Sequence, residues 1–267
     1  MNPNLTLRSM LLATAAAAAF GLSANAAQAA TVAGLMDGGA TLVWIDTGSM
    51  KVTKTVKIQG ASLVGIDVRP ADKQLYGLTT QGKIVTIDAA TGKLTEKSQV
   101  SERLPEGGAI SVDFNPAADR LRVIGADGTS LRINVEDGKA TVDGSLKYAE
   151  GDANKGKMPK AGAVAYSNSF AGTKETALYD IDMANGVLVK QAPPNDGILN
   201  TIGALGVKLD GGAAFDIVAD GNGGNQAWLV SGNRLYLVDL TKGTAKQTST
   251  IGGLKGKLMD IAVLPAK

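Results

Sequence analysis

Gly65-Ile66-Asp67-Val68-Arg69-Pro70 is an apolar strand with one carboxylate at its centre, and the chain uses the pattern again and again. Ser111-Val112-Asp113-Phe114-Asn115-Pro116, Phe215-Asp216-Ile217-Val218 and Met259-Asp260-Ile261-Ala262-Val263 repeat it. Ala163-Val164-Ala165-Tyr166-Ser167-Asn168 fills the same slot with Ala165 in place of the acid. Side chains alternate between the two faces of a strand, so each Asp lies on the face opposite its apolar neighbours. The central positions 67, 113, 165, 216 and 260 are 46, 52, 51 and 44 residues apart. Steps of about 45 residues, each with room for four short strands, match the blade of a β-propeller.

A second repeated element provides an independent ruler. An apolar strand ends in Asp or Asn and is followed by Gly in Ile87-Asp88 to Gly92, Ile133-Asn134 to Gly138, Ile181-Asp182 to Gly186 and Val238-Asp239 to Gly243, with a shortened copy at Ile45-Asp46-Thr47-Gly48. Asp or Asn accepts from backbone N–H groups two residues on and Gly supplies a positive φ, so the pair closes a hairpin. At the C-terminal end, Leu258–Leu264 reads as the first strand of a unit whose other strands, Thr31–Met36, Thr41–Asp46 and Lys51–Ile58, stand at the opposite end of the chain. The expected fold is therefore all-β, a five-bladed propeller whose ring is closed by pairing of the C-terminal strand with the N-terminal strands. Six blades is the alternative, because the unit at about 147–207 is long.

Composition agrees and removes many chemistries. The 267 residues include 34 Gly, no Cys and no His, with a formal net charge of +2. Disulfides, thiolate or imidazole metal sites, and Cys or Ser-His-Asp nucleophiles are excluded. So small a charge gives no reason to expect nucleic acid. Residues 1–29 have one basic residue (Arg8), an apolar stretch from Met10 to Leu22, and the small-x-small sites Ala24-Asn25-Ala26 and Ala27-Gln28-Ala29. That is the pattern of a secretory signal peptide. Cleavage near Ala29 would send a single propeller domain, 30–267, to the periplasm or medium by the Sec route, as a monomer with no membrane span.

The residues also carry a resemblance. Gly65–Pro70 with Leu75-Tyr76-Gly77-Leu78, Val112–Pro116 running into Asp119–Val123, Tyr166-Ser167-Asn168-Ser169-Phe170 with Leu178–Asp182, and Pro193–Gly197 leading to Gly203-Ala204-Leu205-Gly206 resemble a bacterial family named domain of unknown function 4394. The likeness runs from about Val32 to Leu264. It implies an exported, β-propeller-like protein and brings no established activity.

The candidate ligand-binding residues follow from the repeat and its breaks. If Asp67, Asp113, Asp216 and Asp260 face a central channel, like charges raise one another's pKa or call for a cation, and Ca²⁺ is the hard, oxygen-preferring choice. The structural alternative makes each Asp a fastener that accepts backbone N–H bonds from the next blade. Arg69 and Asn115, two residues further on, would emerge at one rim, either to meet a polar ligand or, for Arg69, to neutralise the acids. Gln191–Gly197, with Asn195 and Asp196, is the least repeat-like stretch; it reads as a binding loop or as an ordinary long turn.

Four other features read as structural. Glu150–Gly156 lacks the flanking helices and terminal Glu of an EF-hand and reads as an exposed loop. Gly221–Asn225 reads as a hairpin tip, Trp44 and Trp228 as core, and Lys51–Lys57 as an outer strand whose lysines discourage edge pairing.

With no complete catalytic constellation, the leading expectation is an exported, non-catalytic propeller that binds a small polar ligand, a cation or an envelope component at one rim or the channel. The alternatives are a carboxylate-based hydrolase or glycosidase at the axis, Ca²⁺-assisted in one version, and a scaffold module of an envelope assembly.

Overall fold

The computed structural model describes residues 31–219 and 223–264. The leader read at residues 1–29 and part of the hairpin tip, residues 221 and 222, lie outside the described residues. Strands β1 (Thr31–Met36), β2 (Thr41–Asp46) and β3 (Lys51–Lys57) belong to blade 1. Blade 2 is β4 (Leu63–Val68), β5 (Leu75–Thr79), β6 (Lys83–Ile87) and β7 (Leu94–Gln99). Blade 3 is β8 (Ile110–Asn115), β9 (Arg120–Gly125), β10 (Ser130–Ile133) and β11 (Ala140–Val142). Blade 4 has five strands: β12 (Lys147–Tyr148), β13 (Ala161–Tyr166), β14 (Leu178–Asp182), β15 (Val187–Gln191) and β16 (Ile198–Ala204). Blade 5 is β17 (Ala214–Ala219), β18 (Asn225–Ser231), β19 (Arg234–Val238) and β20 (Ala245–Thr250), and the last strand, β21 (Leu258–Leu264), returns to blade 1.

The closure is antiparallel, with Val32 opposite Val263 and Gly34 opposite Ile261. It gives blade 1 the order β21-β1-β2-β3 and leaves no blade standing alone at a chain end. Five blades are present, and the long fourth unit is one blade with an added strand. The connection from blade 3 runs through β12, which pairs in parallel with the outer strand β16. Asp152 holds this insertion in place: Oδ2 accepts from Thr201 N at 2.5 Å and Oδ1 from Thr201 Oγ1 at 2.8 Å. Among the described residues no helix is long and apolar enough to cross a membrane.

The core is divided by blade contacts. Five buried clusters each span one seam, for example Leu42 and Trp44 against Ile66 and Val85 between blades 1 and 2, and Phe114 against Tyr76 between blades 2 and 3. Tyr76 and Phe114 meet edge-on with ring centroids 5.3 Å apart. Each sheet thus buries both faces against its neighbours while its narrow ends carry the turns.

The turn signals form as read. Asp88 Oδ1 accepts from Ala90 N at 2.9 Å and Thr91 N at 2.8 Å, and Gly92 has φ +71. The turn also has a second role. Gly92 lies so close to the end of β3 that a Cβ would overlap the carbonyl oxygen of Lys57, and Gly138 meets Gln99 of β7 in the same way. Gly92, Gly138 and Gly243 therefore both complete their own hairpins and allow the preceding blade to dock, whereas Gly186 only completes its turn.

Candidate functional site at the ring axis

The innermost strands β21, β4, β8, β13 and β17 each pair with one strand of their own sheet, which leaves an inner edge of unpaired backbone donors facing the axis. Buried N–H groups need acceptors, and the repeated Asp supplies them. Asp67 Oδ2 accepts from Phe114 N of blade 3 at 2.7 Å, and its Oδ1 accepts from its own neighbour, Val68 N, at 2.6 Å. Asp216 does the same with Val263 N (2.7 Å) and Ile217 N (2.6 Å), and Asp260 with Ile66 N (3.0 Å) and Ile261 N (3.1 Å). Asp113 Oδ1 accepts from Tyr166 N at 2.9 Å, joined by Ser111 Oγ, which accepts from Val164 N at 3.0 Å. The carboxylates therefore stitch blade to blade in one sense around the ring, with Ala165 leaving the step from blade 4 to blade 5 without one.

Fastening does not turn them away from one another. One oxygen from each of Asp67, Asp113 and Asp216 lies within 4.8 Å of the others. Asp260 stands apart from this trio: Asp216 reaches Val263, three residues beyond Asp260 on β21, and Asp260 itself binds Ile66 N, one residue before Asp67 on β4. Gly65 makes room for it, since a Cβ there would sit 2.9 Å from Asp260 Oδ2 and 2.7 Å from Val112 Cγ2.

The electrostatics follow from this crowding. Asp67 and Asp113 are 6 % and 4 % exposed. Burial pushes both well above the usual carboxylate range, and repulsion from the neighbouring carboxylates adds to it. Burial also pushes Asp216 up, to about 6, although its two backbone donors oppose the shift. Asp260 is likewise raised, by burial first. At neutral pH such a trio shares protons or attracts a positive charge.

A cavity of about 290 Å³ is lined by two of the trio, Asp67 and Asp216, with Asp113 behind them. Val68, Ile217 and Val263 give it apolar walls. Ser169 and Phe170 close one side from the β13–β14 connection, residues 167–177, the blade whose inner strand carries Ala165 instead of Asp. Lys73, exposed and at φ +59, stands at the opening. Phe170 and Lys73 were not singled out from sequence. The signal present was the length of the 167–177 connection compared with its counterparts in other blades.

The remaining predicted residues lie elsewhere. Arg69 turns towards blade 3, bonding Asp119 through Nε (2.8 Å) and Nη2 (2.6 Å) and Glu136 through Nη1 (2.5 Å). Asn115 Oδ1 caps the β8–β9 turn by accepting from Ala117 N and Ala118 N at 3.0 and 2.8 Å. Asn195 crosses to blade 3, where its Oδ1 accepts from Arg122 Nη2 at 3.0 Å and its backbone oxygen from Gly144 N at 2.9 Å. Asp196 lies exposed in the same turn. The partner of Asn195, Arg122, is 1 % exposed and also pairs with Asp143 at 2.5 Å. Sequence reading passed over it because one Arg in an apolar strand resembles a surface position.

Fold and axis together define a five-bladed β-propeller with an acidic centre. The family model described as "Domain of unknown function (DUF4394)" matches residues 41–262, and the chain belongs to that family. No curated protein matches it. Among solved structures it is similar to a structural genomics protein of unknown function from Bacteroides thetaiotaomicron, with TM-score 0.53, 15 % identity, and coverage of 88 % of this chain and 64 % of that one. A protein of unknown function from Bacteroides caccae aligns with TM-score 0.43 and 13 % identity over 84 % of this chain and 73 % of that one. Dihydro-heme d1 dehydrogenase NirN in complex with DHE aligns with TM-score 0.41 and 12 % identity over 82 % of this chain and 43 % of that one. At such identities a likeness speaks to fold alone.

Proposed function

We propose that this propeller is an exported, non-catalytic binding module that takes a cation in the axial cavity. The observation that carries this reading is the convergence of Asp67, Asp113 and Asp216, from three different blades, beside a cavity of about 290 Å³. Backbone donors hold the carboxylates in place, so little reorganisation is needed on binding. The donor set consists of hard oxygens, which suits Ca²⁺ completed by water, and the apolar walls also admit a small organic ammonium. Location in the periplasm or medium rests on the leader pattern of residues 1–29.

Ligand binding raises thermal stability in proportion to the logarithm of ligand concentration over Kd. Millimolar CaCl₂ or methylammonium chloride is therefore expected to raise the melting temperature at pH 7.5. Asp113→Asn should abolish the shift while keeping the Oδ1 acceptor for Tyr166 N. Unchanged melting with every cation tested would refute the reading.

A carboxylate-based hydrolase is the second reading. It is favoured by one observation: Asp216 is held near 6 while its neighbours are held well above the carboxylate range, a separation of the kind that acid and base roles require. Turnover of a glycoside or ester that is lost in Asp216→Asn would select it.

A further inference from the structure

Asp180, in the middle of β14, is 1 % exposed, and neither of its carboxyl oxygens has a hydrogen-bond partner. Gln191 on β15 is equally buried; its Nε2 donates to Pro194 O at 2.6 Å, while its Oε1 has no partner. That bond fixes which end of the amide faces Pro194, since a flip would set Oε1 against Pro194 O. Asp180 stands opposite Val189 and Leu178 opposite Gln191, which makes the acid and the amide diagonal neighbours on one face of the sheet. The direct neighbours of Asp180 across the strands, Val164 and Val189, belong to the apolar cluster between blades 3 and 4. Three acceptor oxygens without a donor therefore lie on one face of an apolar seam, an arrangement that buried polar groups avoid unless a donor is present.

The charged groups around the seam are already engaged. Arg122 of β9 is the cation that faces Asp180. Its Nε donates to Tyr166 Oη of β13 (3.1 Å), its Nη1 to Ser130 Oγ of β10 (3.0 Å) and Asp143 (2.5 Å), and its Nη2 to Asn195. Arg132 of β10 also binds Asp143, through Nε at 2.6 Å. Asp182, two residues along β14, accepts from Tyr148 Oη of β12 and adds negative field. Of the orphan groups, only the carboxyl can become a donor.

We infer that Asp180 is a proton-binding site: it holds a carboxylic-acid proton, donates it to Gln191 Oε1, and so makes the strap between blades 4 and 3 sensitive to pH. The coupling runs through named bonds. Gln191 holds Pro194, and the turn Pro194–Asp196 presents Asn195, which Arg122 and Gly144 bind from the blade 3 side. Burial, only partly offset by Arg122, pushes Asp180 up to about 8, which agrees with the assignment. The Gln191–Gly197 stretch that breaks the repeat is on this view a strap between blades.

The test uses the full chain. In a ¹³C carboxyl NMR titration the Asp180 resonance is expected at the protonated position at pH 6.5 and to move near pH 8. The native state keeps a proton that the unfolded chain loses near pH 4, so wild-type stability falls between those values. The folding equilibrium constant of Asp180→Asn relative to wild type should therefore rise tenfold per pH unit across that window and level off above it. An Asp180 resonance at the ionised position at pH 6.5, or a ratio constant with pH, overturns the inference. The first readout stands even if the variant fails to fold.

Discussion

Two sets of buried aspartates occupy this ring, and their surroundings differ in one respect. Asp67, Asp216 and Asp260 each accept two backbone N–H bonds, and Asp113 accepts one from the next blade. Asp180 is buried to the same degree and accepts none. Dipoles aimed at the axial carboxylates oppose the effect of burial there, and in the proposed function a cation completes the balance. At Asp180 no hydrogen-bond donor supports the charge and Arg122 offsets burial only in part, so on the inference above a proton does. Equal burial thus raises both sets, but only the axial carboxylates combine backbone donors with like-charged neighbours.

The largest expected effect tests the ring on which both sets depend. Deleting residues 258–267 removes β21, the inner strand of blade 1, together with the Asp260 fastener. Calorimetry should then show loss of the cooperative transition; a truncated chain that melts like the whole one would break the closure. Next, Asp67→Ala strands the N–H groups of Phe114 and Val68, at a cost of roughly 2–4 kcal/mol by denaturant unfolding. Asp180→Leu at pH 7.5 should cost less than Asp67→Ala, since it strands one acceptor, Gln191 Oε1, where Asp67→Ala strands two backbone donors. Comparable losses at both sites would erase the contrast between them.

The pH dependence sharpens the comparison further. A carboxyl raised in the native state binds its proton more tightly there than in the unfolded chain, so stability falls as pH rises from the unfolded value to the folded one. For Asp216 that window runs from 3.8 to about 6, and for Asp180 from 3.8 to about 8. Saturating CaCl₂ should cancel the axial part of the loss and leave the Asp180 part, as read by melting temperatures from pH 5 to 8. The smallest effect is at the opening, where Lys73→Ala removes an exposed, solvent-screened positive charge and should tighten cation binding about twofold.

Much of the fold was legible because it repeats. Asp67, Asp113, Asp216 and Asp260 recur at blade spacing since every inner strand has the same unpaired edge. The turn glycines Gly92, Gly138, Gly186 and Gly243 recur since each takes a positive φ, and all but Gly186 also meet the previous blade. Leu258–Leu264 announced the closure because it resembles an inner strand with no blade after it. What stayed hidden depends on register and on contacts between distant segments. The offset of Asp260 from the trio shows only once Asp216 is seen to bind Val263 rather than Ile261 on β21. Arg122 meets Asn195 across 73 residues. Asp180, two residues before the turn acid Asp182, reads as an ordinary strand residue until both of its neighbouring blades are in place.

The central claim is that the axial carboxylates exchange shared protons for a cation. Titration calorimetry of the full chain with CaCl₂ and with methylammonium chloride at pH 6.5, in buffers of different ionisation enthalpy, measures this directly. Saturable heats are expected for at least one cation, with release of about one proton per site and affinity rising with pH, all absent in Asp113→Asn. Saturable binding without proton release, or no binding by any cation, would contradict it.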